Sequence, residues 1–177
     1  RPVSSAASDV YKRQKLRFIG LSPKTVFVST LKDFEIQQEL INLFKKEDIK
    51  LLITTTSFSS SLNTSNETDE ESLNIFRSLN LPILQILSCN KSREDWMNSS
   101  TGMNPTDLLM QVIIPEFDGR ITTKPSAFKE VISTDKTLCT NITSYKVDIE
   151  NIKWIAKLAQ NYVKLNNLCN FDKKISL

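Results

Sequence analysis

Histidine is missing from this sequence altogether. Its absence removes the commonest neutral-pH general base and the commonest metal ligand together. Proton transfer or metal handling would therefore fall to carboxylates, cysteines or groups supplied by another part of the protein. Glycine is scarce, with only Gly20, Gly102 and Gly119 in 177 residues. No GxxxxGK[ST] loop is present, so ATP phosphates cannot be cradled by that route. The three cysteines, Cys89, Cys139 and Cys169, are odd in number and widely separated. That spacing excludes a simple disulfide framework and a CxxC metal site, and it suits a reducing cytoplasm, the expected location. The net charge of +3 is spread without a basic block, so no nucleic-acid partner is expected. No apolar run approaches the roughly 18 residues a membrane helix needs, and no membrane partner is expected either.

What is present suffices for a packed domain: 40% of the residues are hydrophobic, and a chain of this length can bury a core. The two ends read differently from the middle. Ser8-Asp9-Val10-Tyr11-Lys12-Arg13-Gln14 looks like the translation of a sequencing adapter, so residues 1–14 are expected to be non-native and poorly ordered. Residues 173–177 read as the opening of another strand. The chain is accordingly expected to be an internal piece of a longer polypeptide, with an α/β domain over residues 15–135 and a helical continuation over 136–177 into a next domain.

The β-branched run at residues 25–29 predicts a strand. Asp33 then caps a helix whose Ile36, Leu40, Ile41, Leu43 and Phe44 recur at helical spacing. A second strand is expected over 49–56, a solvated loop with an acidic cluster (Glu67, Asp69, Glu70, Glu71) over 57–71, a short helix through Leu73, Ile75, Phe76 and Leu79, and a third strand over 83–87. This βαβαβ pattern predicts an α/β fold with a parallel sheet flanked by helices. Ligands in such sheets sit beyond the carboxyl ends of the strands. Those ends, at Ser29-Thr30, 54–58 and 88–92, are rich in hydroxyls, which suit either site loops or helix caps.

Ser92 is placed to cap a helix carrying Trp96, and Asn104 a second one with Pro105 at its first position. Leu108, Leu109, Val112 and Ile113 are expected to form the buried face of the second helix, which should end before Pro115. A turn, Glu116-Phe117-Asp118-Gly119-Arg120, follows. A last helix is expected over 148–168, with Ile152, Ile155, Ala156, Ala159, Tyr162 and Val163 as its apolar stripe.

Several separated blocks then appear in a fixed order: Leu81-Pro82-Ile83-Leu84-Gln85; Ser92-Arg93-Glu94-Asp95-Trp96; Gly102-Met103-Asn104-Pro105-Thr106-Asp107-Leu108; Met110-Gln111-Val112-Ile113-Ile114-Pro115-Glu116-Phe117-Asp118-Gly119-Arg120-Ile121; and Phe128-Lys129-Glu130. In order and spacing they resemble the large subunit of the cobaltochelatase family, the tetrapyrrole-binding subunit shared in outline with magnesium chelatase. Arg120 directly after Gly119, and Phe128-Lys129 soon after, look like the cobalt branch. The resemblance implies a three-component enzyme. Its large subunit holds a corrin, hydrogenobyrinic acid a,c-diamide in the aerobic cobalamin route, while a separate AAA+ ATPase with its adaptor hydrolyses ATP to drive Co2+ insertion. Co2+ would be the substrate metal, and no cofactor is expected on this chain itself. The alternatives are a magnesium chelatase large subunit, inserting Mg2+ into protoporphyrin IX, and a non-catalytic α/β docking module of such a subunit.

Metal insertion removes inner N–H protons from the ring and must hold its acidic side chains. Glu116 and Asp118 are the candidates for accepting protons; Arg93, Arg120 and Lys129 are the candidates for holding the ring, with Trp96 as a stacking surface. Each has a structural reading beside it. Asp118-Gly119 is a common turn pair, Glu116 could bond the turn's amides or pair with Arg120, and Trp96 could anchor the core. No metal ligand is expected. The family's His- and Glu-bearing motif is absent from this sequence, so the isolated chain is expected to be inactive.

Overall fold

The computed structural model of the chain describes residues 3–28, 31, 33–57 and 75–174. The expected acidic loop, apart from Ser57, together with Leu73 and Ser29-Thr30, lies outside these residues. Among the described residues, four strands form one sheet in the order β1 (Leu52–Thr54), β2 (Ile83–Cys89), β3 (Ile121–Asp135) and β4 (Thr140–Val147). The first three run parallel and β4 returns antiparallel to β3, so the molecule is α/β with a mostly parallel sheet.

β2 occupies the centre, and all of its residues but Ser88 are buried. That is the near-continuous apolar run expected of a strand covered on both faces. One neighbour, β1, falls within the strand expected over 49–56; the other differs from the sequence expectation. Residues 25–28 form no strand, and Val26 and Phe27 are exposed; the third parallel partner is supplied instead by β3. The strand character of β3 is obscured by Pro125, which cannot donate to a ladder. It is accommodated opposite Leu87, where the register between β2 and β3 shifts.

One apolar cluster gathers Leu40 and Ile41 of α2 (Phe34–Lys46), Ile75 and Phe76 of α3 (Ile75–Leu79) and Ile83 of β2. Asp33 caps α2 by accepting the Glu35 N–H. A second cluster joins Leu87, Cys89, Met103 and Phe128, with Trp96 of α4 (Arg93–Asn98) packed on it. Ile152, Ile155, Ala156 and Ala159 are buried on α7 (Ile149–Asn167), with Asp148 as its cap, as the stripe predicts. Ile86, Ile152, Ile155 and Ala156 also line a cavity of about 440 Å3 bounded by β1 and the segment at 23–27.

Two further expectations fail. Residues 3–18 form one helix, α1 (Val3–Phe18), which lies against α7 and β4, where residues 1–14 were expected to lack order. Its end is tied down by Gln160, whose amide donates to Ile19 O at 2.8 Å. The helix begun by Asn104 does not stop before Pro115: α5 (Pro105–Leu108) passes through a π-turn at Leu109–Ile113 into α6 (Ile114–Glu116). Proline offers no N–H to the carbonyl four residues back, and the wider turn, in which Ile114 N–H reaches Leu109 O, absorbs that loss. Of the expected buried face, Leu108, Leu109 and Ile113 are exposed, and Asp107 is buried beside them. The expected division at residues 135/136 falls at the start of the turn joining β3 to β4, strands that pair along eight registered positions.

Candidate functional site

The turn after α6 is built by successive backbone bonds: Phe117 N–H to Ile114 O, Asp118 N–H to Pro115 O and Gly119 N–H to Glu116 O. Gly119 sits at φ +74°, the left-handed region that a side chain disfavours. This reversal folds Arg120 back under the sheet. Arg120 is 3% exposed and Asp118 5%. Their pair, Arg120 Nη2 to Asp118 Oδ2, is 2.7 Å long.

Arg120 Nη1 donates to Thr56 O at 2.9 Å, Thr56 Oγ1 at 3.2 Å and Gln85 Oε1 at 3.0 Å. The guanidinium carbon stands 4.5 Å from the centroid of the Phe76 ring. Gln85 closes the network by donating to Thr56 O. One cation therefore joins the exit of β1, the centre of β2, the entry to β3 and helix α3. Burial pushes the Arg120 pKa down, and Asp118 works against that shift. The planar fork of five donors is what makes arginine, and not lysine, fit several acceptors at once. Glu116 and Phe117 point outward and are exposed.

A second polar centre lies at the carboxyl end of β2. Asp107, buried in the first turn of α5, accepts from Asn90 N–H at 2.9 Å, Asn90 Nδ2 and Asn104 Nδ2. Tyr145 of β4 donates to Asn90 Oδ1. Burial raises the Tyr145 pKa, and the Asp107 charge adds to that rise. Burial likewise pushes the Cys89 thiol up, which keeps it protonated and unreactive. Lys91 donates to Gly102 O at 2.9 Å and Ser99 Oγ at 3.2 Å, fixing the loop after α4. Beneath it, Trp96 meets Phe128 with centroids 5.4 Å apart and planes at 52°.

Arg93 completes this end. Its Nε donates to Asp148 Oδ2 at 2.6 Å, its backbone N–H to Glu130 Oε1 at 2.9 Å, and Nη2 stands 3.7 Å from Glu150. A cavity of about 280 Å3 lies among Arg93, Phe128, Glu130, Lys146 and Asp148. Lys129, between Phe128 and Glu130, is exposed on the opposite face of the strand, and its N–H is paired to Lys91 O. Among the described residues no three His, Cys, Asp or Glu side chains gather to hold a metal ion. No helix among them is long and apolar enough to cross a membrane.

The whole of this frame has counterparts. Residues 11–177 match the model of the CobN/magnesium chelatase family. The chain belongs to that family. The aerobic cobaltochelatase subunit CobN of Pseudomonas aeruginosa is 28% identical over 164 residues, covering 93% of this chain and 13% of its own length. An uncharacterised protein of Methanocaldococcus jannaschii is 33% identical over 165 residues, again 13% of its length. The catalytic subunit of cobaltochelatase from Mycobacterium tuberculosis superposes with a TM-score of 0.70 at 25% identity, covering 94% of this chain and 14% of that one. The chain thus spans about an eighth of the length of the relatives it matches.

Within the CobN/magnesium chelatase frame, the six residues singled out from sequence fall into two groups. Glu116, Asp118 and Arg120 cluster at the entry to β3; near its middle Arg93 and Trp96 meet Glu130 and Phe128 on one face, whereas Lys129 lies on the other face. Ile121 and Phe128 pair with Leu84 and Cys89, five residues apart on β2, so at a rise of about 3.3 Å per residue the groups are separated by about 17–23 Å. The partner of Arg120 in the turn is Asp118, not Glu116. Sequence reasoning passed over Gln85, Asn90, Gln111 and Tyr145. Gln111 clamps the irregular stretch of β2 by accepting from Ser88 N–H and donating to Ser88 O, both at 2.8 Å. The signal for it was Gln85 and Gln111 inside otherwise apolar runs, since a buried amide needs partners.

Proposed function

We propose that this chain is a segment of the large, tetrapyrrole-binding subunit of an ATP-dependent cobaltochelatase, which inserts Co2+ into hydrogenobyrinic acid a,c-diamide. The observation that carries this reading is the alignment of the Pseudomonas aeruginosa CobN subunit along 93% of the chain. The chemistry exchanges the one ionisable inner proton of the corrin for Co2+, leaving one positive charge on the metal–ring core, whereas a porphyrin would release two. An AAA+ ATPase and adaptor in the cytoplasm would supply the energy.

Within that enzyme the two groups of residues take different parts. Asp118 and Arg120 hold the sheet together from inside. Glu116, Lys129 and the outer edge of Arg93 are the groups accessible to a ring bearing acidic side chains or to its leaving proton. Trp96 serves as a core anchor, because its ring is packed on Phe128.

The test uses the full-length subunit with its ATPase and adaptor. Co2+ with hydrogenobyrinic acid a,c-diamide should give an ATP-dependent change in the Soret region, and Mg2+ with protoporphyrin IX should not. Turnover with the magnesium pair alone would transfer the chain to the other branch of the family. Failure with both pairs would remove the chelatase reading.

A further inference from the structure

β1 ends the sheet among the described residues, and on its outer side lies the cavity of about 440 Å3. Leu51, Leu52 and Ile53 all line that cavity, and so does the whole run at 23–27. Successive side chains of a strand point to opposite faces. A cavity that meets three consecutive residues of this strand therefore adjoins its edge, and the run at 23–27 forms the wall opposite. Leu52 N–H is bonded to Pro82 O on the inner side, so the amide and carbonyl of Ile53 turn toward the cavity. Helices cover both faces. Leu40 and Ile41 of α2 pack with Ile83 and Phe44 of α2 lines the cavity, while Ile155 and Ala156 of α7 line it together with Ile86. Positions 83 and 86 point to opposite faces of β2. The cavity thus has a strand edge at one side and a helix on each face, which is the place of a buried parallel strand.

What borders this slot now suits it poorly. α1 brings Asp9, Lys12 and Arg13 to it. The Lys12 side chain is only 12% exposed and stands 3.4 Å from Asp9, and burial pushes its pKa down. Charge in an apolar slot is costly. All three residues fall in 8–14, the run that looks like a translated adapter. Residues 25–28, strand-like in sequence, lie in no strand. The edge of β1 is unguarded as well: residues 51–54 are Leu-Leu-Ile-Thr, whereas natural edges are protected by charge, proline or a cover.

We propose that in the full-length subunit one β-strand, directly N-terminal to residue 15, fills this slot and pairs parallel with β1 on one side and with residues 25–28 on the other. Being covered on both faces, it is uncharged and rich in Val, Ile or Leu. A parallel crossover takes about a dozen residues or more, so a strand that leads through a helix to residue 25 ends near or before position 13. That is the stretch occupied here by the adapter-like run. Handedness agrees with this order. The crossover from the new strand to 25–28 and the crossover from 25–28 through α2 to β1 run in opposite directions across the sheet. Both are right-handed only if their helices lie on opposite faces. α1 lies against α7, and α2 covers the other face. The strand is required whichever metal the enzyme inserts.

The test is made on the full-length subunit with its own upstream sequence and with leucine replaced by photo-leucine, a diazirine of similar size. Apart from links to β2, α2 and α7, cross-links from Leu51 and Leu52 should map to one run of about five residues upstream of position 13, with a yield independent of protein concentration. Amides over 51–54 and 25–28 should exchange at least about a hundredfold more slowly than those of an open chain. Cross-links running straight from Leu52 to 25–28 would mean that the slot closes on itself, and would overturn the proposal. So would links to a distant region of the polypeptide or to a second subunit, the absence of any upstream link, or amides over 51–54 that exchange at the open-chain rate.

Discussion

At the scale of single residues, burial decides which charges can meet a ligand. Asp118 and Arg120 are close in sequence to Glu116, yet only Glu116 faces outward. A buried pair is held by its hydrogen bonds, and removing one partner strands the other charge. Asp118→Ala should therefore destabilise the chain by about 3–5 kcal/mol, read as a lower urea midpoint by the fluorescence of Trp96 and Trp154. Glu116→Gln should stay within about 0.5 kcal/mol, as exposed substitutions do. A similar loss for both variants would mean that Asp118 does not hold Arg120 in place. The sequence marked this turn as dense in charge, but side-chain direction depends on the reversal at Gly119, which no local pattern specifies.

At the scale of elements, caps were legible and irregularities were not. Asp33, Ser92 and Asn104 each accept a backbone N–H at the helix start where sequence placed them as caps, and Asp148 does so at the start of the helix expected from 148, because an N-cap is a contact across two or three residues. The π-turn, by contrast, answers to Pro115 and to the grip of Gln111 on a distant strand. β3 was hidden by Pro125, whose tolerance depends on register shifts against β2 that place the extra residues in β3.

Asp148 shows how an element end couples to the rest. Burial works against its ionised form, but the Asn151 N–H, the Arg93 guanidinium and the Glu150 N–H outweigh it and hold its carboxyl below the ordinary range. A carboxylate with a lowered folded pKa contributes stability that is fully present above its unfolded value, about 3.9, and lost as pH falls through the folded value. Acid titration of stability should therefore show a loss beginning as pH drops below about 5. In Asp148→Asn the cap is retained, since asparagine serves as well there, while the ion pair is gone and this part of the acid limb should flatten. An unchanged acid limb would assign the loss to other carboxylates.

At the scale of the whole molecule, the sheet is a spacer. A buried polar network sits at the entry to β3, and the cations that could face a ring sit near the middle of the same strand, about 17–23 Å away by the β2 register. The sequence supplied both groups within one stretch of familiar blocks and so suggested one site. Proximity in sequence fails as a guide here because an extended strand carries the chain farther per residue than any other element. The separation has a thermodynamic consequence in the full-length subunit. Effects of substitutions more than about 10 Å apart, with no shared partner, add within about 0.5 kcal/mol. Glu116→Gln and Lys129→Ala should then change tetrapyrrole affinity independently, and the double variant should show the product of the two fold-changes in Kd by Soret titration. A coupling well beyond that margin would place Glu116 and Lys129 on one ring or on one shared partner.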